Sequence, residues 1–474
     1  MILKQIFEPR LAQYSYLVGS EKTREAILVD PMRDVDRYIS IAEEENLKIV
    51  GIAETHIHAD YLSGAREMAE RFGFRIYVAN SPDEEWKFNW LINGDYEYKL
   101  LNDGDVISVG EVELKALFTP GHTPEHLSFI VSDNSDNTGG ILSGDFVFVG
   151  DVGRPDLLES AAGMTGAMLS SAKTLYRSLD IFKDLPHSMQ VFPGHGAGSA
   201  CGKSLSPIPV STVGTELTTN PSILAATSED NFVNFILDDQ PEPPVYFERM
   251  KQLNKEGPPL LGKLPDPTLV SVKEIAGLID HEENLILDTR SWDEFKNAHI
   301  PGSIFSPLNS SFNTTAGCYV EPEKRIYLVI QERFLKEAVN DLIRIGLDKI
   351  VGYIEPGDLK EYGELGGATS NIKDVNVHEL NKMINEGKVN LLDVRRAAEL
   401  EEIGYLEGAI NVAHTVLMKR LSEVPNDKPV AVFCLSGVRA MYASSFLKKR
   451  GYEPIIVQDG FKAWISAGYD VAGR

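Results

Sequence analysis

The chain has 474 residues, a length that suits about three domains of ordinary size. With 43% hydrophobic and 24% charged residues it is neither a disordered nor a fibrous chain; globular domains with real cores are expected. A formal net charge of -24 repels phosphate backbones and argues against nucleic acid as a substrate. Three cysteines, Cys201, Cys318 and Cys434, are too few for a disulfide framework and suit a reducing compartment. The N-terminal stretch shows no basic region followed by an apolar run, and no apolar stretch approaches the ~20 residues of a membrane helix. A cytoplasmic protein without membrane contact is the expectation.

The first segment, to about residue 245, opens with short apolar runs at Tyr14–Val18 and Ala26–Val29, both read as strands. A helix over Asp34–Asn46, a buried strand over Lys48–Glu54, a helix over Gly64–Phe72 and a strand over Arg75–Ala79 follow. Such alternation predicts α/β layers. Between Gln240 and Pro267, QPEPP, EGPPL and LPDP supply Pro and turn residues, and residues 246–265 read as a linker with a short helix around Val245–Asn254. The remainder is an internal repeat. NLILDTRSWDEFKNAHIPGSI starts at Asn284 and NLLDVRRAAELEEIGYLEGAI at Asn390. RIYLVI pairs likewise with PVAVFC, and GLDKIVGYIEPG with GYEPIIVQDG. Two α/β units are expected, 266–368 and 372–474, each with a mainly parallel sheet flanked by helices.

Chemistry-bearing residues cluster where strands end. Thr55-His56-Ile57-His58-Ala59-Asp60 directly follows the buried strand at Lys48–Glu54. Thr119-Pro120-Gly121-His122-Thr123, Leu142-Ser143-Gly144-Asp145 and Phe192-Pro193-Gly194-His195-Gly196 come after it in order. Alternating His-x-His-x-Asp points several ligands one way, and the loops beyond strand C-termini are where α/β sheets place their sites. One lone His would read as an ordinary core group; three turns bearing four His, plus Ser-Gly-Asp, read as a metal site.

The set THIHAD, PGHT, SGD and PGHG resembles the metallo-β-lactamase superfamily over roughly residues 1–240. The resemblance implies an αββα sandwich. Two-metal members carry a His where this chain has Tyr61, so one metal is expected, drawn from His56, His58, His122 and Asp145. Two His and a carboxylate with open positions is the arrangement of non-haem iron oxygenases. The pattern is similar to the persulfide dioxygenase branch, which implies one Fe(II) per chain on His56, His122 and Asp145. His58, Asp60 and His195 then orient the ligands or serve as alternative ones. His and carboxylate suit zinc as well as iron. Arg154, in Asp151-Val152-Gly153-Arg154-Pro155-Asp156, either grips an anionic thiol carrier or holds the loop through Asp151 or Asp156. Cys201, among glycines and near Lys203, either carries sulfur as an activated thiolate or lines the pocket.

In the last repeat, Cys434 follows the strand Val430–Phe433, and a helix is expected from about Ala440. A thiol before a helix N-terminus lies in a cradle of backbone N–H groups that stabilises an anion, and Arg439 adds positive charge. The loop Cys434-Leu435-Ser436-Gly437-Val438-Arg439 resembles the rhodanese active loop, as do Asp393-x-Arg395, Gly408-Ala409-Ile410-Asn411 and Gln458-Asp459-Gly460-Phe461-x-Ala463-Trp464. The related phosphatases use a longer loop. Residues 435–438 are therefore expected to hold substrate and Cys434 to carry sulfane sulfur. The first repeat has Gln331-Glu332-Arg333-Phe334 there, no Cys, and a shortened loop; Cys318 lies upstream. It reads as an inactive rhodanese-like domain.

The whole chain is similar to persulfide dioxygenase–rhodanese fusions of bacterial sulfide detoxification. That resemblance implies a low-molecular-weight thiol persulfide, O2 and sulfite or thiosulfate as reaction partners, and a homo-oligomer. Two rivals stand: a zinc thioester hydrolase like glyoxalase II, and a non-enzymatic sulfur carrier or persulfide sensor.

Overall fold

The computed structural model describes residues 1–81, 83–133, 138–157, 166–203, 205–238, 240–279 and 281–473. They form two compact units, Met1–Lys263 with Ile343–Gly346, and Leu264–Leu342 with Leu347–Arg474. Among the described residues no helix is long and apolar enough to cross a membrane.

The first unit holds two six-stranded sheets. One runs β1 (Ile2–Glu8), β2 (Gln13–Gly19), β3 (Glu25–Val29), β4 (Lys48–Ala53), β5 (Arg75–Ala79) and β6 (Tyr98–Leu101) in spatial order. The other runs β7 (Val106–Val109), β8 (Val112–Phe118), β9 (Leu127–Asp133), β10 (Thr138–Gly144), β11 (Gln190–Pro193) and β12 (Ser211–Thr212) in reverse order. Strand alternation explains the layering, because successive side chains point to opposite faces. On β2, Leu17 packs with Tyr38, Ala42 and Met68, the helix-covered side of the sheet. Tyr16 and Val18 instead meet Leu114, Leu127 and Phe129 of the second sheet. The far face of that sheet buries Ile141 and Val191 against Leu175, Leu179 and Phe182 of the helix Ala167–Lys183. Helix, sheet, sheet, helix is the expected αββα sandwich.

Two local expectations differ. β1 has no counterpart in the sequence reading, because as an edge strand it is buried only in part and its pattern is mixed. The stretch read as a linker is packed into the first unit: the short helix expected near Val245–Asn254 runs from Phe247 to Glu256, and its Phe247, Met250 and Asn254, spaced i, i+3, i+7, are buried.

The second unit carries two five-stranded sheets of one topology. The first is ordered β13 (Thr268–Leu269), β17 (Ile350–Ile354), β16 (Arg325–Val329), β14 (Asn284–Asp288), β15 (Ile304–Phe305). The second is β18 (Lys373–Val375), β22 (Pro454–Val457), β21 (Val430–Phe433), β19 (Asn390–Asp393), β20 (Ile410–Asn411). Every pairing in both is parallel. Strands buried on both faces explain the unbroken apolar runs of β16 and β21.

Phe129 is fully buried where the two sheets of the first unit meet. Phe129→Ala should destabilise that unit by about 3–5 kcal/mol, read as a shift in its denaturant midpoint. A shift too small to resolve would contradict the close packing described.

Candidate functional site

The metal-type residues leave the C-terminal ends of β4, β8, β10 and β11 and meet. His56, His122 and Asp145 each offer a donor atom, and these lie within 4.8 Å of one another. Asp145 Oδ2 is 3.6 Å from His122 Nε2 and 3.9 Å from His56 Nε2. Each imidazole is aimed by a bond at its other nitrogen. His56 Nδ1 is 2.9 Å from Thr55 Oγ1, and Thr55 donates its N–H and hydroxyl to Asp30 at 2.7 and 2.8 Å. His122 Nδ1 is 2.9 Å from the Arg154 carbonyl, to which it donates. Burial pushes both His56 and His122 below the usual imidazole range, which leaves them neutral and able to ligate.

The site suits a cation. Asp145 is wholly buried, yet neither of its oxygens has a hydrogen-bond partner among the described residues. Burial would push its carboxyl up, but the charge of His195 beside it holds it well below the ordinary range. A buried ionised carboxylate without bonded donors needs a positive neighbour. His126 supplies order rather than a ligand: its Nε2 accepts the Asp145 N–H at 3.0 Å, and its Nδ1 meets Thr119 Oγ1 at 2.8 Å. The sequence reading missed His126, although it closes the same PGHTPEH run. Gly153 is also required, because a Cβ there would overlap the Asp145 carbonyl oxygen and press on His122.

The surrounding candidates separate into groups. His58 turns to Asp30 and Glu54, 3.3 and 3.4 Å from its Nε2. Burial opposes its charge, but those carboxylates raise its pKa to about 10. Tyr61 packs its ring on His58 and directs its hydroxyl to the Asp30 carbonyl at 3.4 Å. His195 Nε2 lies 3.4 Å from Asp145 Oδ2 and 3.6 Å from Asp60 Oδ2. Asp60, His195 and Cys201 form a second buried group of ligand atoms within 4.8 Å. Arg154 is fully buried; it donates to Asp156 at 3.0 and 2.6 Å and to the carbonyls of Ala200 and Pro241. That is the geometry of holding the loop. Cys201 is 2% exposed, and burial pushes its thiol up to about 11. Lys203 gives its ammonium to the carbonyls of Phe235 and Asp238. Of the two readings of Cys201, a buried thiol beside His195 fits the pocket-lining one and not the activated thiolate.

Asn254 was also missed, because it lies in the supposed linker. It is 2% exposed, donates to the carbonyls of His58 and Tyr61 at 2.8 and 2.7 Å, and accepts the Ser63 N–H at 2.9 Å. One side chain thus pins the loop carrying His58, Asp60 and Tyr61.

In the second unit, Cys434 directly follows β21 and is 1% exposed. Its Sγ accepts the Gly437 N–H at 3.2 Å. The helix begins at Val438, two residues before the expected start, because Gly437 takes a left-handed φ of 93° and turns the chain directly into it. Ser436 and Val438 are exposed, and Leu435 and Arg439 are half-buried. The helix Gly460–Ser466 closes the loop from behind: Phe461 N–H donates to the Cys434 carbonyl at 2.8 Å and Lys462 N–H to the Leu435 carbonyl at 3.0 Å. Gly460, at φ 58°, makes this approach possible, since a Cβ would overlap the Cys434 carbonyl oxygen. In the first repeat the chain after β16 enters a single turn, Glu332–Phe334, with all three residues exposed. Cys318 is buried in the helix Phe312–Tyr319.

A sandwich of two mixed sheets with His and Asp gathered at strand ends defines a metal-binding αββα protein. The Metallo-beta-lactamase superfamily matches residues 9–195, and the Rhodanese-like domain matches residues 271–357 and 376–467. A crystal structure of a metallo-beta-lactamase from Staphylococcus aureus subsp. aureus COL is 37% identical, with a TM-score of 0.67, covering 75% of this chain and 99% of that one. The chain belongs to the metallo-beta-lactamase superfamily, with tandem rhodanese-like domains behind that fold. The mitochondrial persulfide dioxygenase ETHE1 of Bos taurus is 29% identical over 235 residues, 48% of this chain and 78% of that protein. The beta-lactamase hydrolase-like protein of Xylella fastidiosa (strain 9a5c) is 28% identical over 284 residues, 55% of this chain and 61% of that protein.

Asn254→Ala strands three buried backbone groups, each worth about 1–3 kcal/mol. Metal affinity should fall roughly tenfold or more, measured by equilibrium dialysis with Fe(II) and with Zn(II). Unchanged affinity for both would show that the loop is held otherwise. Gly460→Ala should destabilise the second unit by about 2–4 kcal/mol through left-handed strain and overlap and speed alkylation of Cys434. No change in either measurement would mean that the contact does not hold the loop.

Proposed function

We propose that the chain is a non-haem Fe(II) persulfide dioxygenase coupled to a sulfurtransferase, oxidising low-molecular-weight thiol persulfides. The observation that carries this reading is the grouping of His56, His122 and Asp145 as one buried ligand set, with His58 turned away to Asp30 and Glu54 and Tyr61 bonded to a carbonyl. A single metal with open positions suits binding of substrate and O2 side by side. The relationship to persulfide dioxygenase ETHE1 supports the same chemistry.

Iron held by His56, His122 and Asp145 would supply the redox chemistry that joins O2 to the sulfane sulfur. The balance is R-S-SH + O2 + H2O giving RSH and sulfurous acid, which ionises to sulfite. The chain's own residues provide the setting. Thr55 and the Arg154 carbonyl fix the two imidazoles, and His126 fixes the Asp145 backbone. Arg154 acts through Asp156 and the Ala200 carbonyl, which ties the Cys201 loop beside the centre. Cys201 lines the pocket with a buried, neutral thiol.

Cys434 takes the sulfane sulfur of a second persulfide. Its thiolate attacks the outer sulfur, the S–S bond to the carrier breaks, and the carrier leaves as a thiolate. Sulfite then attacks the outer sulfur of the Cys434 persulfide and leaves as thiosulfate, which restores the Cys434 thiolate. The N–H of Gly437 and the guanidinium of Arg439 face the anionic sulfur. The same steps run in reverse would charge a thiol from thiosulfate. Joining the two sites in one chain raises the concentration of sulfite near Cys434.

A zinc thioester hydrolase is the second reading. The Asp60, His195 and Cys201 group favours it, since a second metal there would recreate a two-metal hydrolytic centre.

Protein purified without air should contain about one iron per chain and consume O2 on addition of glutathione or coenzyme A persulfide. Cys434→Ser should consume O2 at the same rate but form no thiosulfate from sulfite. Two zinc ions per chain with thioester hydrolysis and no O2 uptake would replace the first reading with the second. Thiosulfate formation by the Ser variant would remove Cys434 from its role.

A further inference from the structure

The two repeats share one helix-capping device but use it differently. In the first, Glu294 closes a capping box on the helix Trp292–Asn297: it accepts from the Ser291 N–H at 3.1 Å and the Ser291 hydroxyl at 2.5 Å. It is exposed, and those are its hydrogen bonds among the described residues. In the second repeat Glu399 occupies the same place, the third residue of the helix Ala397–Ile403, and accepts from the Arg396 N–H at 3.1 Å. Glu399 is instead 9% exposed and turned inward. Its two oxygens receive Arg439 Nη1 at 2.5 Å and Nη2 at 2.6 Å, a two-bond fork. Arg439 stands in the first turn of the helix that follows the Cys434 loop, and Cys434 is among the groups acting on its guanidinium.

The contrast separates scaffold from chemistry. The capping box serves the fold in both copies. Among the described residues, such a fork from the capping Glu occurs only in the copy whose loop carries a cysteine. We propose that Glu399 is a positioning residue for sulfur transfer at Cys434, acting through Arg439; this rests on the assignment of Cys434 as the sulfur carrier. A guanidinium has five N–H donors in one plane. Glu399 takes two of them, fixes that plane and leaves three donors for an anion. The anion served is the acceptor that approaches the Cys434 persulfide, an oxyanion such as sulfite, whose several oxygens suit a planar donor set. Without Glu399 the long Arg439 side chain loses its fixed orientation beside the sulfur, while the cradle of backbone N–H groups that holds the Cys434 sulfur stays in place.

The test uses full-length protein with sulfite as acceptor. Glu399→Gln should still load sulfur on Cys434, seen by intact mass, while the KM for sulfite rises about tenfold and kcat changes less than threefold. Glu294→Gln removes the equivalent capping charge from the inactive copy and should leave both constants unchanged. The thermal midpoints of the two variants separate loss of capping from loss of positioning. If Glu399 acts through Arg439, adding Glu399→Gln to Arg439→Ala should have no further effect on KM. Equal effects of the two Gln variants, an unchanged KM, or additivity with Arg439→Ala would overturn the proposal. A different failure marks the underlying assignment: if Cys434→Ser still transfers sulfur, the carrier is elsewhere, whatever Glu399 does.

Discussion

An ionised carboxylate without bonded donors is among the most expensive groups a protein can bury, and the first unit is arranged around one. Asp145 has no exposure and no hydrogen-bond partner for either oxygen among the described residues. His56, His122 and His195 all point Nε2 at it from 3.4 to 3.9 Å. Their other nitrogens are engaged by Thr55, the Arg154 carbonyl and the Ala12 carbonyl. These partners lie far apart in the chain, so the sheets must align before the site exists. A cation placed among these atoms would add to the positive charge of His195 in compensating that carboxylate. Metal and fold are therefore coupled, as where metal ligands come together only in the folded state.

The second unit shows how little of a fold its chemistry needs. Both repeats have five parallel strands in one order, a buried Asp paired with the Arg two residues on (Asp288 with Arg290, Asp393 with Arg395), and a Glu-closed cap. They differ in the few residues after one strand. In the second copy Gly437 turns the chain straight into a helix and Gly460 lets a second helix back the loop. In the first copy that place is an exposed turn. Function resides in the grafted loop, and the scaffold is indifferent to it.

Much of this was legible along the chain. Apolar periodicity located β2 through β5 and β21 to within a residue or two, because each is a short buried run flanked by turn residues. The metal-type motifs stood out because each places a His or Asp at a strand end, His122, Asp145 and His195 beside a glycine. The relation between the repeats was plain as well, since Asp-x-Arg recurs after equivalent strands. Less accessible were residues whose role depends on another segment. Asn254 sits among prolines that look like a linker, His126 resembles a spare histidine, and the edge strand β1 has too mixed a pattern to identify.

The sequence by itself determined the layered α/β class, the duplication, the candidate ligands and the thiol, because these follow from local periodicity and spacing. Only the tertiary structure decided how His56, His58 and His195 divide between Asp145 and other carboxylates, that Arg154 and Cys201 are buried and committed, and that Glu399 reaches Arg439. Each of those depends on distances between segments far apart in the chain, and hydrogen-bond geometry in space leaves no periodic trace in the order of residues.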